Sequence, residues 1–402
     1  MTEALVLDYV RTARGKGSKR GSLHQVSPVD LVVRLQEALV ARTEIDPSRV
    51  QDVTVGSASQ VDEQGADLAR TATLLAGWGH GVPGGTINRF CASGVDAVAQ
   101  TAARIRAGDL SLAVAGGVES VSRVPMFSDR GPLWTDPETI RRVGSVHMGI
   151  AADLNATLDG WTREELDAYG VETQAKAARG WDEGVHARSV VPVELPDGSL
   201  FARDELIRPD TSAEWLARLP SAFAGLGAEG QDAIALAAHP EAGEIAHLHT
   251  VGTSPALADG AALLLLGSPE TAEALGLRPR ARIVASAVVS TDPVIMLTAG
   301  QQAVEAVIAK AGLTPADIDV FEFAEAFAAM CLKFRRELDA GPDRMNPNGG
   351  TIAMGHAFGA TGAIMTGGCV EELERREGRY GVAAVSGAAG LGVAVLIERM
   401  NP

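Results

Sequence analysis

Asn88-Arg89-Phe90-Cys91-Ala92-Ser93-Gly94 follows a glycine-rich turn, Gly81 to Gly85, and opens an apolar-periodic run, Val95, Val98, Ala99, Ala102, Ala103 and Ile105. That spacing predicts a buried helix ending near Gly108, then a strand and glycine turn at Leu112-Ala113-Val114-Ala115-Gly116-Gly117. Cys91 therefore falls at a helix N-terminus, where unpaired N–H groups and the helix dipole favour an anion and ease formation of a thiolate. For an arbitrary cysteine the plainer reading is a small buried thiol. What decides between them lies at the other end of the chain.

There the same pattern returns. His356-x-x-Gly359 opens a helical stretch to Arg376, followed by the strand and turn Val382-Ala383-Ala384-Val385-Ser386-Gly387. Further upstream the two ends match again. Residues 4–10 read as a strand and Val29 to Ala41 as a helix with Asp30 near its start; then come the turn Ile45-Asp46-Pro47-Ser48-Arg49-Val50 and the strand Val53-Thr54-Val55-Gly56. In the second half a helix at Gln301 to Leu313 precedes the turn Thr314-Pro315-Ala316-Asp317-Ile318 and the strand Val320-Phe321-Glu322-Phe323. Two duplicated halves are the simplest account. A pseudo-twofold packing of such halves brings the helix starts at Cys91 and His356 towards one another. The short β-α-β spacing implies a mixed or parallel sheet layered by helices, an α/β fold, with ligands at strand ends and helix N-termini.

Between the halves, residues 121–248 are rich in Pro and charge, with a helix from Arg163 to Arg179 that Thr162 and Glu165 start as a capping box. This reads as an inserted lobe, its segment 224–248 as an irregular excursion. Asp259-Gly260-Ala261-Ala262-Leu263-Leu264-Leu265-Leu266 then returns to a buried strand. The division is 1–120 with 249–268 as the N-terminal half, 121–248 as the lobe and 269–402 as the C-terminal half.

Composition agrees with this and narrows the partners. A chain of 402 residues with 46% hydrophobic residues, 45 glycines and 4% aromatics suits helices packed closely on sheets. A net charge of −16 argues against nucleic acid or an anionic membrane surface as the main partner. Cys91, Cys331 and Cys369 have no paired spacing, pointing to a reducing compartment without disulfides, and no His/Cys cluster suggests a metal site. The first residues show no signal peptide, so the expected location is the cytoplasm. His239, His247 and His249 have solvated surface as their default reading. No GxGxxG follows the first strand, which makes a dinucleotide domain a poor third option.

Across nearly its whole length the chain resembles the thiolase family. The resemblance is carried by Asn88 to Gly94, Gly116-Gly117-Val118-Glu119-Ser120, His147-Met148-Gly149, Asp259-Gly260-Ala261-Ala262 and the run from Gly349 to Gly362 that contains Gly355-His356-Ala357-Phe358-Gly359. It implies a five-layered α-β-α-β-α core of two duplicated halves, with an inserted loop domain covering coenzyme A. It also implies Claisen chemistry on 3-ketoacyl-CoA, made or cleaved through an acyl-cysteine, with coenzyme A as co-substrate and no permanently bound cofactor or metal. Cys91 takes the nucleophile's place and His356 that of its base; the backbone at Cys91, Gly387 and Ala388 resembles an oxyanion hole. His147 and Met148 match the acyl and pantetheine channel, with a packing role left open for Met148. A homodimer or homotetramer is the family habit.

The family pattern breaks at three places. Its second catalytic cysteine, which moves the proton on the α-carbon of acetyl-CoA, is here Ser386, and a serine hydroxyl gives no comparable resting base. The Asn-Glu-Ala-Phe motif reads Ala324-Glu325-Ala326-Phe327, without the amide that holds an oxyanion water; Ala324 and Phe327 still count as substrate-binding candidates and Glu325 as structural. In Gly252-Thr253-Ser254-Pro255 relatives carry serine where Pro255 stands, leaving Ser254 as the binding candidate. Cys331 lies elsewhere on its helix and Cys369 reads as core. The resulting expectation is an acyl-CoA acyltransferase of the thiolase type, its carbon–carbon chemistry weakened; the alternatives are a divergent thioester transferase or hydrolase, or a non-catalytic CoA-binding subunit.

Overall fold

The computed structural model describes residues 2–400; the first residue of the expected N-terminal half and the last two of the C-terminal half lie outside it. Nine strands form one mixed sheet path: β1 (Leu5–Thr12), β2 (Val53–Gly56), β3 (Gly84–Ile87), β4 (Leu112–Ser120), β5 (Ala258–Gly267), β6 (Ala281–Ser290), β7 (Val320–Phe323), β8 (Tyr380–Gly387) and β9 (Leu391–Arg399). Their spatial order is β7-β8-β9-β6-β1-β5-β4-β2-β3. Read from the centre, β6-β9-β8-β7 mirrors β1-β5-β4-β2, so the duplication seen in the sequence is a duplication of topology. The halves meet where β1 pairs antiparallel with β6, Leu5 opposite Arg282 and Val6 opposite Ala281. Strand β3 is the one addition without a counterpart, paired parallel to β2 at an end of the path.

The long helices of the layers and the lobe are α1 (Pro28–Thr43), α2 (Ser93–Ala107), α3 (Met148–Asp159), α4 (Arg163–Asp182), α5 (Ala299–Lys310), α6 (Ala328–Leu338) and α7 (Phe358–Arg376), and a shorter one, Leu68–Leu75, lies beside β3. Local chemistry fixes their ends. Ser27 caps α1 by accepting from the Asp30 amide, with Pro28 at the first position, and Thr162 with Glu165 forms the capping box of α4. Gly108 and Gly160 end α2 and α3 in the left-handed conformation that glycine adopts without steric cost.

Three apolar clusters define the five layers. Leu31, Leu35 and Leu39 of α1 cover one face of the N-terminal sheet; Val304, Val307 and Phe334 of α5 and α6 cover the outer face of the C-terminal one. Between the halves, Val95, Val98 and Ile105 of α2 pack with Ala360, Ala363 and Val370 of α7. Because both sheet faces are covered, β4 and β5 are buried at every residue, which is why Leu263 to Leu266 reads as an unbroken apolar run. The segment 224–248 is less irregular than its sequence suggests: it holds a helix at Asp232–Ala238, on which Ala235 is buried. Among the described residues no helix is long and apolar enough to cross a membrane.

Candidate active site

The central helix layer decides the site. α2 and α7 meet at their first turns with almost nothing between them. A Cβ added at Gly94 would collide with Gly359 O and lie 3.0 Å from Ala363 N, and one added at Gly362 would lie 2.7 Å from Val95 Cβ. Gly94 and Gly362 thus let one helix start lie against the other, while Gly359 lets the start of α7 lie against the end of β2. Cys91 and His356 each precede their helix by two residues, and each follows a residue in the left-handed region: Phe90 at φ +50° and Gly355 at φ +102°.

For Phe90 that conformation is strained, of the order of 1 kcal/mol or more, and persists because its surroundings hold it. Asn88 Oδ1 accepts from the Phe90 amide at 2.8 Å, Ser93 Oγ donates to Phe90 O at 2.5 Å, and the Arg89 amide donates to Ser93 Oγ at 2.8 Å. Arg89 is in turn paired with Asp96 on α2. Cys91 is left half-buried, opening on a small cavity lined by Phe90, Phe127, Trp134, Met148, Phe358 and Ala388.

His356 is pinned on both sides of its backbone. Its amide donates to Ala256 O at 2.7 Å and its carbonyl accepts from the Ala258 amide at 3.2 Å. The ring stands edge-on to Phe358 with centroids 5.1 Å apart, and Nδ1 is 2.8 Å from Thr361 Oγ1 one turn into α7. With Nδ1–H donated to that hydroxyl, the lone pair of Nε2 remains to take a proton.

Glu119, at the end of β4, joins the two helix starts to the cavity wall. Its buried carboxyl accepts from the amides of Ala58 (2.8 Å), Ser59 (3.2 Å) and Gly359 (2.9 Å) and from Gln64 Nε2 (2.6 Å). Burial raises its pKa against those four hydrogen bonds. The sequence motif Gly116 to Ser120 contained it without revealing this task.

The electrostatics reverse one expectation. Cys91 was expected to ionise easily at a helix start; instead burial, with the charge of Glu119 adding to it, pushes the thiol up to about 12, and its own backbone N–H offsets this only in part. His356 is pulled down to about 4, by burial first and Arg14 second. Arg14 is held in place by a buried ion pair with Asp204 and donates to Gly355 O at 3.3 Å. The resting pair is a neutral thiol and a neutral imidazole.

Cys91, Met148 and Ala388 share one cavity, and Gly387 packs on the same loop, 3.2 Å from Arg89 O at the position a Cβ would take. His147 caps α3 through Nδ1, 3.0 Å from the Gly149 amide, and lines the adjoining space with Met148. Ser254 lines a separate cleft of about 490 Å³ with Lys16, Arg208, Trp215 and Phe223, its hydroxyl donated to Thr250 O at 2.7 Å.

Ser386, Ala324 and Phe327 line none of these spaces. Ser386 Oγ donates to Leu297 O at 2.7 Å and accepts from the Gly300 amide at 2.9 Å, so it ties β8 to the start of α5. Ala324 is buried in the central layer, and Phe327 precedes α6 with its ring between Phe223 (5.7 Å) and His249 (5.3 Å). Glu325 is a fully buried clamp: Tyr169 OH, Thr173 Oγ1 and the Ile352 amide all donate to it, at 2.7, 2.8 and 2.9 Å. Cys331 and Cys369 sit in apolar clusters. The surface reading fails for His249, which is fully buried with Nδ1 2.7 Å from Asp153, while His247 bridges Asp153 and Asp232. No cluster of His, Cys, Asp and Glu suited to a metal occurs among the described residues.

Comparison with known proteins matches residues 4–230 to the family model for the thiolase N-terminal domain and 277–399 to that for the thiolase C-terminal domain. The chain is 36% identical to a 3-ketoacyl-CoA thiolase of Klebsiella pneumoniae and 36% identical to a 3-oxoadipyl-CoA/3-oxo-5,6-dehydrosuberyl-CoA thiolase of Escherichia coli, each time over the full length of both proteins. The crystal structure of an acetyl-CoA acetyltransferase from Bacillus anthracis superimposes with a TM-score of 0.86 at 32% identity, covering 100% of this chain and 99% of that one.

Proposed function

The chain belongs to the thiolase family and is an acyl-CoA acyltransferase of that family; from this premise we propose that it carries acyl groups on Cys91, with His356 as proton acceptor, and exchanges thioesters faster than it makes or breaks carbon–carbon bonds. The observation that supports this best is the close contact of the two helix starts, each of which Cys91 or His356 precedes by two residues.

In the acylation step Cys91 Sγ attacks the thioester carbon as its proton passes to His356 Nε2. A bond forms from Sγ to the acyl carbon, the bond from that carbon to the coenzyme A sulfur breaks, and the proton on His356 goes to the departing sulfur. The imidazole is neutral in the resting state and ready to accept, and the thiol needs it, since burial denies Cys91 a free thiolate. Amides of Cys91 and the Gly387–Ala388 turn receive the negative charge on the thioester oxygen. The cleft at Ser254 takes coenzyme A, with Lys16 and Arg208 offering cations to its phosphates in a chain that is otherwise acidic. In this reading residues 121–248 form the lobe that covers it, supplying Arg208 and Trp215 to the cleft and Trp134 and Met148 to the cavity at Cys91.

Carbon–carbon chemistry needs a further group to move the α-proton of an acetyl unit. Ser386 Oγ is engaged on both sides and Ala324 has no amide to offer, which supports the slow carbon–carbon step. We also propose a cytoplasmic homodimer or homotetramer: the thiols are free, and Leu74 and Leu75 are exposed on the helix beside the end strand β3. Light scattering on the purified protein decides the assembly. Incubation with acyl-CoA thioesters of increasing chain length followed by intact mass tests the chemistry: an adduct lost in Cys91→Ala is expected, and no adduct with any thioester overturns the reading.

A further inference from the structure

A second space adjoins the one beside Cys91. Phe127, Trp134 and Met148 border both the cavity at Cys91 and an adjoining one of about 270 Å³, which runs on to Leu133, Ile140, Val146 and Ile234. Aromatic residues make up 4% of the chain, yet Phe90, Phe127, Trp134 and Phe358 all face the thiol's cavity. The rings form a continuous wall. Trp134 meets Phe90 edge-on at 5.9 Å and Phe127 at 4.8 Å, and Phe127 meets the His147 ring at 6.5 Å. Rigid flat faces and edges of this kind give directional contacts to another ring, which a flexible chain exploits less well.

Charge narrows the occupant further. Among the described residues lining the two spaces there is no Lys or Arg, and the one carboxylate is Asp129. The far end presents neutral groups: Gln231, and His147, whose pKa burial lowers so that it stays uncharged at neutral pH. A terminal carboxylate on the acyl chain would leave water without a cation to meet it and with Asp129 to repel it.

We infer that the acyl group carried by this chain is uncharged and ring-bearing, aromatic or alicyclic, with its ring seated against Phe127, Trp134 and Met148. The inference rests on acyl transfer at Cys91. It sets the chain apart from the dicarboxylic acyl groups in the name of the Escherichia coli relative.

The test compares the rate of adduct formation on the wild-type protein, read by intact mass, for phenylacetyl-, cyclohexylacetyl-, hexanoyl-, adipyl- and acetyl-CoA. The two ring-bearing thioesters are expected to react at least tenfold faster than acetyl- and adipyl-CoA and at least threefold faster than hexanoyl-CoA. Trp134→Ala is expected to lower the phenylacetyl-to-acetyl ratio by about tenfold, in the range one well-packed hydrophobic group supplies. Hexanoyl- or adipyl-CoA reacting as fast as the ring-bearing pair, or a ratio unmoved in Trp134→Ala, overturns the inference while leaving acyl transfer standing. If no thioester forms an adduct, acyl transfer itself fails. Calorimetric binding of phenylacetyl- against adipyl-CoA to the same protein then decides what the cavity holds: tighter binding of the phenylacetyl ester supports a ring-binding site, and equal or weaker binding overturns it.

Discussion

Adding one methyl group at Gly359 tests whether the close seating of the start of α7 on the end of β2 sets the active-site geometry. In Gly359→Ala the new Cβ lies 2.7 Å from Ser57 Cα, 2.8 Å from Gly56 O and 3.0 Å from Glu119 Oε2. Two of those atoms belong to the backbone at the end of β2 and cannot rotate away. The difference between 2.7 Å and an ordinary contact of 3.4 Å means that the start of α7 must retreat by about 0.7 Å. That retreat stretches the 2.9 Å bond from the Gly359 amide to Glu119 out of range and carries Thr361 away from the His356 ring. Overpacking costs roughly 1–3 kcal/mol and the charged hydrogen bond a further ~1–2 kcal/mol, so urea unfolding should show a loss of about 2–4 kcal/mol. A displacement approaching 1 Å at a catalytic group costs up to ~10²-fold, so acylation of Cys91 by acetyl-CoA should slow by about 10- to 100-fold. Intact mass against time reads the rate, and circular dichroism with iodoacetamide labelling of Cys91 shows that the variant is folded with its thiol reachable. A folded Gly359→Ala protein that acylates within twofold of wild type would refute the argument that this seating of α7 sets the geometry at His356.

Three further outcomes follow from the same geometry. With His356 drawn down to about 4 and Cys91 raised to about 12, the acylation rate should stay level from about pH 9 down to about pH 5.5 and fall only as the imidazole protonates near pH 4; a midpoint near 6.5 would mean that the histidine is not desolvated as placed. Ser386→Cys, alone or with Ala324→Asn, should raise thiolysis of acetoacetyl-CoA while lowering stability by roughly 1–2 kcal/mol, since the larger sulfur gives up the bonds to Leu297 O and the Gly300 amide; wild-type thiolysis that is already fast and unmoved by these changes contradicts the role given to Ser386. Glu322, facing a small polar cavity with Tyr9, His186 and Glu371, has its carboxyl pushed up to about 8, by burial first and then by Glu372 and Glu325. Its folded pKa lies above the unfolded value of 4.5, so its contribution is present below pH 4.5 and lost as pH rises through 8. Glu322→Gln should therefore match wild type most closely near pH 4 and exceed it by several kcal/mol, on the order of 1.4 kcal/mol for each pH unit separating the two pKa values, at pH 8.5 in urea unfolding, and an equal difference at both pH values would exclude this origin.

What was legible in the sequence followed the backbone. The strands Val53–Gly56 and Val320–Phe323 and the capping box at Thr162 were readable because neighbouring residues determine them. The duplication was readable from the x-x-Gly spacing after Cys91 and His356, because backbone comes close at both glycines, Gly359 O at Gly94 and the end of β2 at Gly359. Electrostatics were not. The reversal at Cys91 arises from burial and from Glu119, 28 positions away, and neither leaves a local mark. His249 was misread for the same reason: its partner Asp153 comes from another helix, and nothing in its own segment shows that it is buried. The aromatic wall draws on positions 90, 127, 134 and 358, which share no period and meet only in the folded chain.

The neutral resting pair and the pinned Ser386 bear on the same question of proton supply. Acylation needs one proton to travel a short path, from sulfur to imidazole to sulfur, and His356 serves both ends of it without changing charge between turnovers. Claisen chemistry needs a proton lifted from carbon while Cys91 holds an acyl group. His356 is already the partner of the thiol, and the hydroxyl of Ser386 is committed to Leu297 and Gly300. The aromatic wall faces the acyl side of the thiol, where it selects which thioester enters, and does nothing for the α-carbon. Specificity and acyl capture are therefore built into this chain more fully than carbanion formation, and the ratio of thioester exchange to thiolysis is the quantity in which that imbalance should be measured.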